Sequence, residues 1–153
     1  MTLIETVLKL LLAVALGGLI GLEREASRKP AGLRTNILVC IGSAMLMILS
    51  DLILRRAGGS QGDLTRMAAA VVTGMGFLGA GTIIQARGMV HGLTTASTLW
   101  VVAGLGLVVG AGFYVEAVVF TGLALLTLAL FPRLEARFHR GAAPRFHLRM
   151  RDS

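Results

Sequence analysis

Residues 71–91, VVTGMGFLGAGTIIQARGMVH, are long and apolar enough to cross a bilayer, yet they carry glycines at 74, 76, 79 and 81. Within them lies a G-x-G-x-x-G pattern, which in a soluble protein suggests a phosphate-cradling loop. That reading needs a strand before it, a helix after it and an acidic ribose partner about 20 residues on. The flanks supply none of these: AAAVV runs in from upstream, and TTASTLWVVAGLGLVVG follows. The stretch therefore predicts a membrane helix whose glycines allow close backbone contact or a break in the helix.

The rest of the chain has the same character. Of its 153 residues 55% are hydrophobic and 15% charged, where soluble domains carry roughly 25% charged residues. Twenty glycines and only six Phe, one Trp and one Tyr place the apolar content in small and aliphatic side chains. This composition predicts one compact integral membrane domain. The net charge of +7 is not a nucleic-acid signal, because the basic residues crowd into short polar regions beside apolar blocks, where they fix orientation and meet anionic lipid. Cys40, the single cysteine, forms no intrachain disulfide and reads as a small buried side chain. The first apolar block, with Glu5 and Lys9 and no small-residue cleavage site, does not read as a removed signal peptide.

Five crossings are expected, making the fold class an all-α polytopic membrane protein. The first is 3–22, where Glu5 and Lys9 stand four apart in the order that favours a pair, and where Ala13, Gly17 and Gly21 form a small-residue stripe. The pair reads as snorkelling at a helix end or as a polar access face. A polar segment, 23–36, follows, with Pro30 and Gly32 as breaking and turning residues. The second crossing is 37–54, closed by Asp51, Arg55 and Arg56, a local ion pair at the interface. The third begins near Leu64 with Asp63 as N-cap and runs to about Gln85, its glycine-rich half open to a break. Arg66 in its first turn opposes the helix dipole and requires a partner, either a phosphate headgroup or an acid. The fourth, 93–111, opens with hydroxyls at Thr94, Thr95, Ser97 and Thr98 and carries Gly106 and Gly110; Trp100 is expected between helices. The fifth, 114–131, ends at Pro132, giving a membrane domain over 1–132 and a basic cytoplasmic tail over 133–153. Leu134, Phe138, Phe146 and Leu148 would let that tail lie on the membrane.

With five crossings, one side of the membrane receives 11 Lys and Arg residues and the other three. The excess of positive charge on the inside predicts the N terminus outside and the C terminus in the cytoplasm.

Four stretches together resemble the MgtC/SapB family, in particular its N-terminal hydrophobic domain: GGLIGLEREASRKPAGLRTNILVCIGSA at 17–44, DLTRMAAAVVTGMGFLGAGTI at 63–83, GLTTASTLWVVAGLGLVVGAG at 92–112, and Pro132–Arg133. The resemblance covers nearly the whole chain. It implies a multi-pass bacterial inner-membrane protein without a catalytic reaction, associated with growth at low magnesium and survival inside macrophages. It also implies restraint of a membrane partner such as the ATP synthase, with magnesium transport as the alternative. Family acids and bases fall on Glu23, Arg24, Glu25, Arg28 and Arg34, and on Asp63 and Arg66. The family's glycine core falls on Gly74, Gly76, Gly79 and Gly81, and its hydroxyl entrance on Thr94 and Thr95. Ala70 stands where many relatives have glutamine, and Thr94 where the best-known member has asparagine. Larger members continue into a soluble ferredoxin-like domain, which the residues after Pro132 are too few to form.

The sequence holds no paired-cysteine or H-E-x-x-H metal pattern, no G-x-S-x-G and no Walker motif, and His91, His139 and His147 are dispersed. No enzyme, cofactor, metal site or nucleic-acid partner is expected. Two functions remain. The first is regulation through helix contacts with a membrane partner or a second copy, the 23–36 loop setting specificity. The second is a small divalent-cation channel or transporter, with Glu5, Asp51, Asp63 and Glu116 as an outer acidic mouth and carbonyls of a broken third helix near mid-membrane. In both, membrane lipids surround the helices.

Overall fold

The computed structural model describes residues 2–57, 61–86 and 89–139, with side chains left aside at 61–63, 84–86, 133 and 135–139. Among the described residues five helices form: α1 (Leu3–Ala26), α2 (Leu33–Ala57), α3 (Gln61–Thr82), α4 (Leu93–Ala111) and α5 (Tyr114–His139). A short antiparallel hairpin, β1 (Ile84–Ala86) and β2 (Met89–His91), joins α3 to α4 with Gln85 opposite Val90. Each helix has the length and apolar content to cross a membrane.

Several boundaries differ from the expectation. The first helix continues four residues past Leu22 to Ala26, so the polar segment between α1 and α2 shrinks to 27–32. Thr2 starts α1 by accepting the Glu5 amide at 3.3 Å. The third helix begins at Gln61, so Asp63 lies inside it rather than capping it. It then runs unbroken to Thr82 through Gly74, Gly76 and Gly79 to Gly81; the break left open by the glycines is not formed. Glycine weakens a helix by about 1 kcal/mol per residue relative to alanine, which the backbone bonding demanded by lipid outweighs. Nor does Pro132 end α5, which continues to His139. Proline there removes one backbone bond near the end of the crossing, where water can serve the freed carbonyl.

The outer surface is unlike that of a water-soluble protein. Large apolar residues such as Leu3, Phe77 and Val115 are 74–83% exposed, whereas the interior combines aliphatic residues such as Ile20 and Leu105 with many small ones, among them Ala13, Gly17, Gly21, Ser43, Ala44, Ala103, Gly106 and Gly110. This is the pattern of helices solvated by lipid, whose association rests on close backbone approach and not on removal of apolar area from water. At the centre stands α4, flanked by α1, α2 and α3, with Val102, Leu105 and Val109 buried against Ala13, Leu16 and Ala44. Trp100, expected between helices, is instead half-exposed.

Candidate functional site

The charged elbow between α1 and α2 carries the most elaborate polar structure among the described residues. Because α1 extends to Ala26, Glu23 and Arg24 occupy its last turns. Arg24 is only 3% exposed, and its Nε donates to Glu23 Oε2 at 2.7 Å. The other Glu23 oxygen accepts from Ser27 Oγ at 2.8 Å. The chain then reverses, with the Ser27 amide donating to the Glu23 carbonyl and the Lys29 amide to the Arg24 carbonyl, both at 2.9 Å. Arg28 and Ala31 take left-handed φ values of 52° and 57° to make the turn.

Glu25 closes the elbow. Its Oε2 accepts the backbone N–H of Leu33 at 3.0 Å, so a carboxylate from the end of α1 caps the start of α2, where the helix dipole favours negative charge. One turn into α2, Asn36 is fully buried. Its Nδ2 donates back to the Ala31 and Gly32 carbonyls, while its Oδ1 is buried without a hydrogen-bond donor. Asn36 and Ser43, which donates to the Val39 carbonyl at 2.9 Å, were not among the expected site residues. The only sequence signal for them is a polar letter inside or beside an apolar run.

Glycines bring the helices to this geometry. A Cβ on Gly21 would lie 2.7 Å from Leu33 Cα, and one on Gly17 2.7 Å from Cys40 Cβ. On the far side of α2, a Cβ on Gly106 would overlap Ser43 Oγ and the Cys40 carbonyl oxygen, and one on Gly110 would lie 2.6 Å from the Ala44 carbonyl oxygen. Both small-residue stripes are therefore consumed by packing on α2.

The expected glycine core of α3 behaves otherwise. Only Gly79 meets a neighbour, at 3.6 Å from Ala96 Cβ, while Gly74, Gly76 and Gly81 face open space. Gly74 lines an apolar groove of about 510 Å³ between α2 and α3, with Gly42, Leu46, Ala70 and Leu78. Gly76 and Gly79 line a second groove, of about 410 Å³, between α3 and α4.

Expected site residues fall into separate groups. Glu23, Arg24 and Glu25 are brought together at the elbow, whereas Arg28 and Arg34 are exposed beside it. Thr94 and Thr95 start α4 at the same end of the bundle, Thr95 buried and Thr94 exposed. Asp63 and Arg66 lie at the opposite end, since α3 and α4 are antiparallel; Arg66 is exposed. That opposite end has its own polar anchor: Lys9, only 6% exposed, donates to the Gly110 carbonyl at 3.0 Å and lies 3.6 Å from Glu5. Asp51 pairs there with Arg55 at 2.8 Å. Among the described residues no group of three or more His, Cys, Asp or Glu side chains gathers as a metal site.

Five lipid-exposed helices around a glycine-lined, polar-capped centre define a multi-pass membrane protein. The chain belongs to the MgtC family, whose profile matches residues 10–137. It is 42% identical over 139 residues to the putative magnesium transporter YhiD of Escherichia coli K12, a match covering 87% of this chain and 63% of YhiD. With protein MgtC of Brucella abortus it shares 46% identity over 118 residues, 77% of this chain and 48% of that protein. With protein SrpB of Synechococcus elongatus it shares 40% over 139 residues, 83% of this chain and 75% of SrpB. The chain thus spans less than two thirds of YhiD and about half of the Brucella protein. No solved structure matches it.

Proposed function

We propose that this chain is a non-enzymatic regulator in the bacterial inner membrane, serving adaptation to low magnesium, which acts by seating a helix of a membrane partner along α3. The observation that carries this reading is the contrast among glycines: Gly17, Gly18 and Gly21 of α1 and Gly106 and Gly110 of α4 meet α2, whereas three of the four clustered in the second half of α3, Gly74, Gly76 and Gly81, have nothing against them. Close approach of a second helix there would supply the van der Waals contact that lipid chains cannot. The membrane sector of the ATP synthase, implied by the family resemblance, is one such partner. The elbow at 27–32, with Arg28 exposed on it and Arg34 exposed at the start of α2, faces the cytoplasm if the positively charged side is inside, and there it sets specificity.

The experiment is complementation at limiting magnesium with Gly76→Leu at matched protein level. Loss of growth with unchanged thermal stability in detergent supports a partner surface; full complementation sinks it.

Magnesium transport is the second reading, favoured by the printed name of YhiD. An unbroken α3 removes the mid-membrane carbonyls that this reading relied on. Saturable magnesium flux in proteoliposomes, absent from protein-free vesicles, would establish transport in place of regulation.

A further inference from the structure

Arg24 is enclosed by the bundle but only partly bonded. The residue is 3% exposed, yet among the described residues only its Nε finds an acceptor, Glu23 Oε2 at 2.7 Å. The other Glu23 oxygen is turned to Ser27, and both Nη nitrogens of Arg24 are left without a partner. A guanidinium keeps its charge inside a protein, and its buried donors are costly to leave unpaired. The neighbouring helices offer no carboxylate for them. From Leu64 to Val115 the sequence contains no Asp or Glu, and the one acid of α2, Asp51, is paired with Arg55 at the opposite end.

The Nη nitrogens are not sealed in. Among the described residues, Asn36 Oδ1 is the one side-chain atom that is both enclosed and partnerless, so the partnerless Nη atoms border an opening. The register of the helices says what faces them. Lys9 of α1 bonds Gly110 of α4, and these helices run antiparallel; Arg24 lies as many residues past Lys9 as Thr95 lies before Gly110. Arg24 and Thr95 therefore stand level, both on buried faces. Thr95 is 5% exposed, and its hydroxyl too has no hydrogen bond among the described residues. It belongs to the first turn of α4, whose N-cap, Gly92, brings no side-chain bond to the leading amides.

We propose that Arg24 and the first turn of α4 hold a phosphate oxyanion, either free or carried on a lipid headgroup. The guanidinium fork suits such an oxyanion, the uncapped start of a long helix favours it, and Thr95 adds a hydroxyl. Arg28, Lys29 and Arg34, exposed on the adjoining elbow, draw an anion toward this end. The site does not depend on what is seated along α3.

Two probes on the full chain in detergent separate the sources. Inorganic phosphate is titrated calorimetrically against chloride at equal ionic strength, and phosphatidic acid is compared with diacylglycerol by native mass spectrometry. Saturable binding of one phosphate assigns the free anion; selective retention of phosphatidic acid alone assigns the headgroup. Whichever probe binds, Arg24→Lys, which loses the fork, should weaken it about tenfold, the size of one charge-assisted hydrogen bond. Thr95→Val should weaken it severalfold, and Arg28→Gln, at an exposed position, should leave it nearly unchanged. Binding of neither probe overturns the proposal, since water alone would then serve the opening. So does an affinity unchanged in Thr95→Val or in a folded Arg24→Lys, or a loss in Arg28→Gln as large as in Thr95→Val, because surface charge would then be the cause. Where Arg24→Lys is not monodisperse, Thr95→Val and Arg28→Gln decide the question.

Discussion

The α2 interface and the α3 face are built from the same residue type and use it for different ends. Gly17, Gly21, Gly106 and Gly110 all stand where a methyl group would strike α2. Gly74, Gly76 and Gly81 stand where a methyl group would meet nothing. A glycine in a membrane helix therefore does not by itself identify an internal contact. Its role depends on what stands opposite it, and substitution is expected to be costly where α2 does and nearly neutral where nothing in this chain does.

Gly106→Leu breaks the first setting most severely. Overpacking against Ser43 and the Cys40 carbonyl should cost at least about 3 kcal/mol, seen as loss of a monodisperse peak and of a cooperative thermal transition in detergent. A stable Gly106→Leu protein would overturn the assignment of that stripe to internal packing. Next comes Lys9→Met, which leaves the Gly110 carbonyl without the ammonium that reaches it across the bundle. A hydrogen bond to a charged group contributes roughly 2 kcal/mol, so the midpoint of unfolding should fall; a rise would show that burying the charge costs more than the bond returns. A smaller loss, about 1 kcal/mol, is expected for Glu25→Ala, which uncaps α2 at Leu33. Glu25→Gln should restore part of it, since the amide oxygen still accepts. The smallest effect sharpens the comparison: Gly76→Leu should alter stability by no more than about 0.5 kcal/mol. A larger loss would mean that α3 packs more tightly than its open flank indicates.

The sequence made the five crossings legible because long apolar blocks bounded by charge have few alternatives in water or lipid. The helix ends were less legible. Pro132 reads as a terminator, yet one missing amide near the end of α5 does not stop it. Glu23 and Arg24 read as loop residues because they are charged, yet their mutual pairing lets α1 continue past them. The third crossing was expected to run to about Gln85, yet α3 ends at Thr82 and Ile84–Ala86 pair as a strand with Met89–His91. In the candidate site, Glu25 was legible as a charged residue between crossings, but its service to the Leu33 amide depends on the elbow's left-handed turns at Arg28 and Ala31. The four glycines of α3 could be named from the sequence, although their partition into Gly79 in contact and three others facing open space is set by the paths of α2 and α4.

The bond from Lys9 to Gly110 also bears on how the protein is made. Its two ends lie 101 residues apart, so α1 enters the bilayer long before the acceptor for its ammonium has been synthesised. Until then Glu5, 3.6 Å from the ammonium in the finished bundle, is the partner that α1 itself supplies. The bond can close only once the fourth segment is in place, so the first helix made is secured by one of the last.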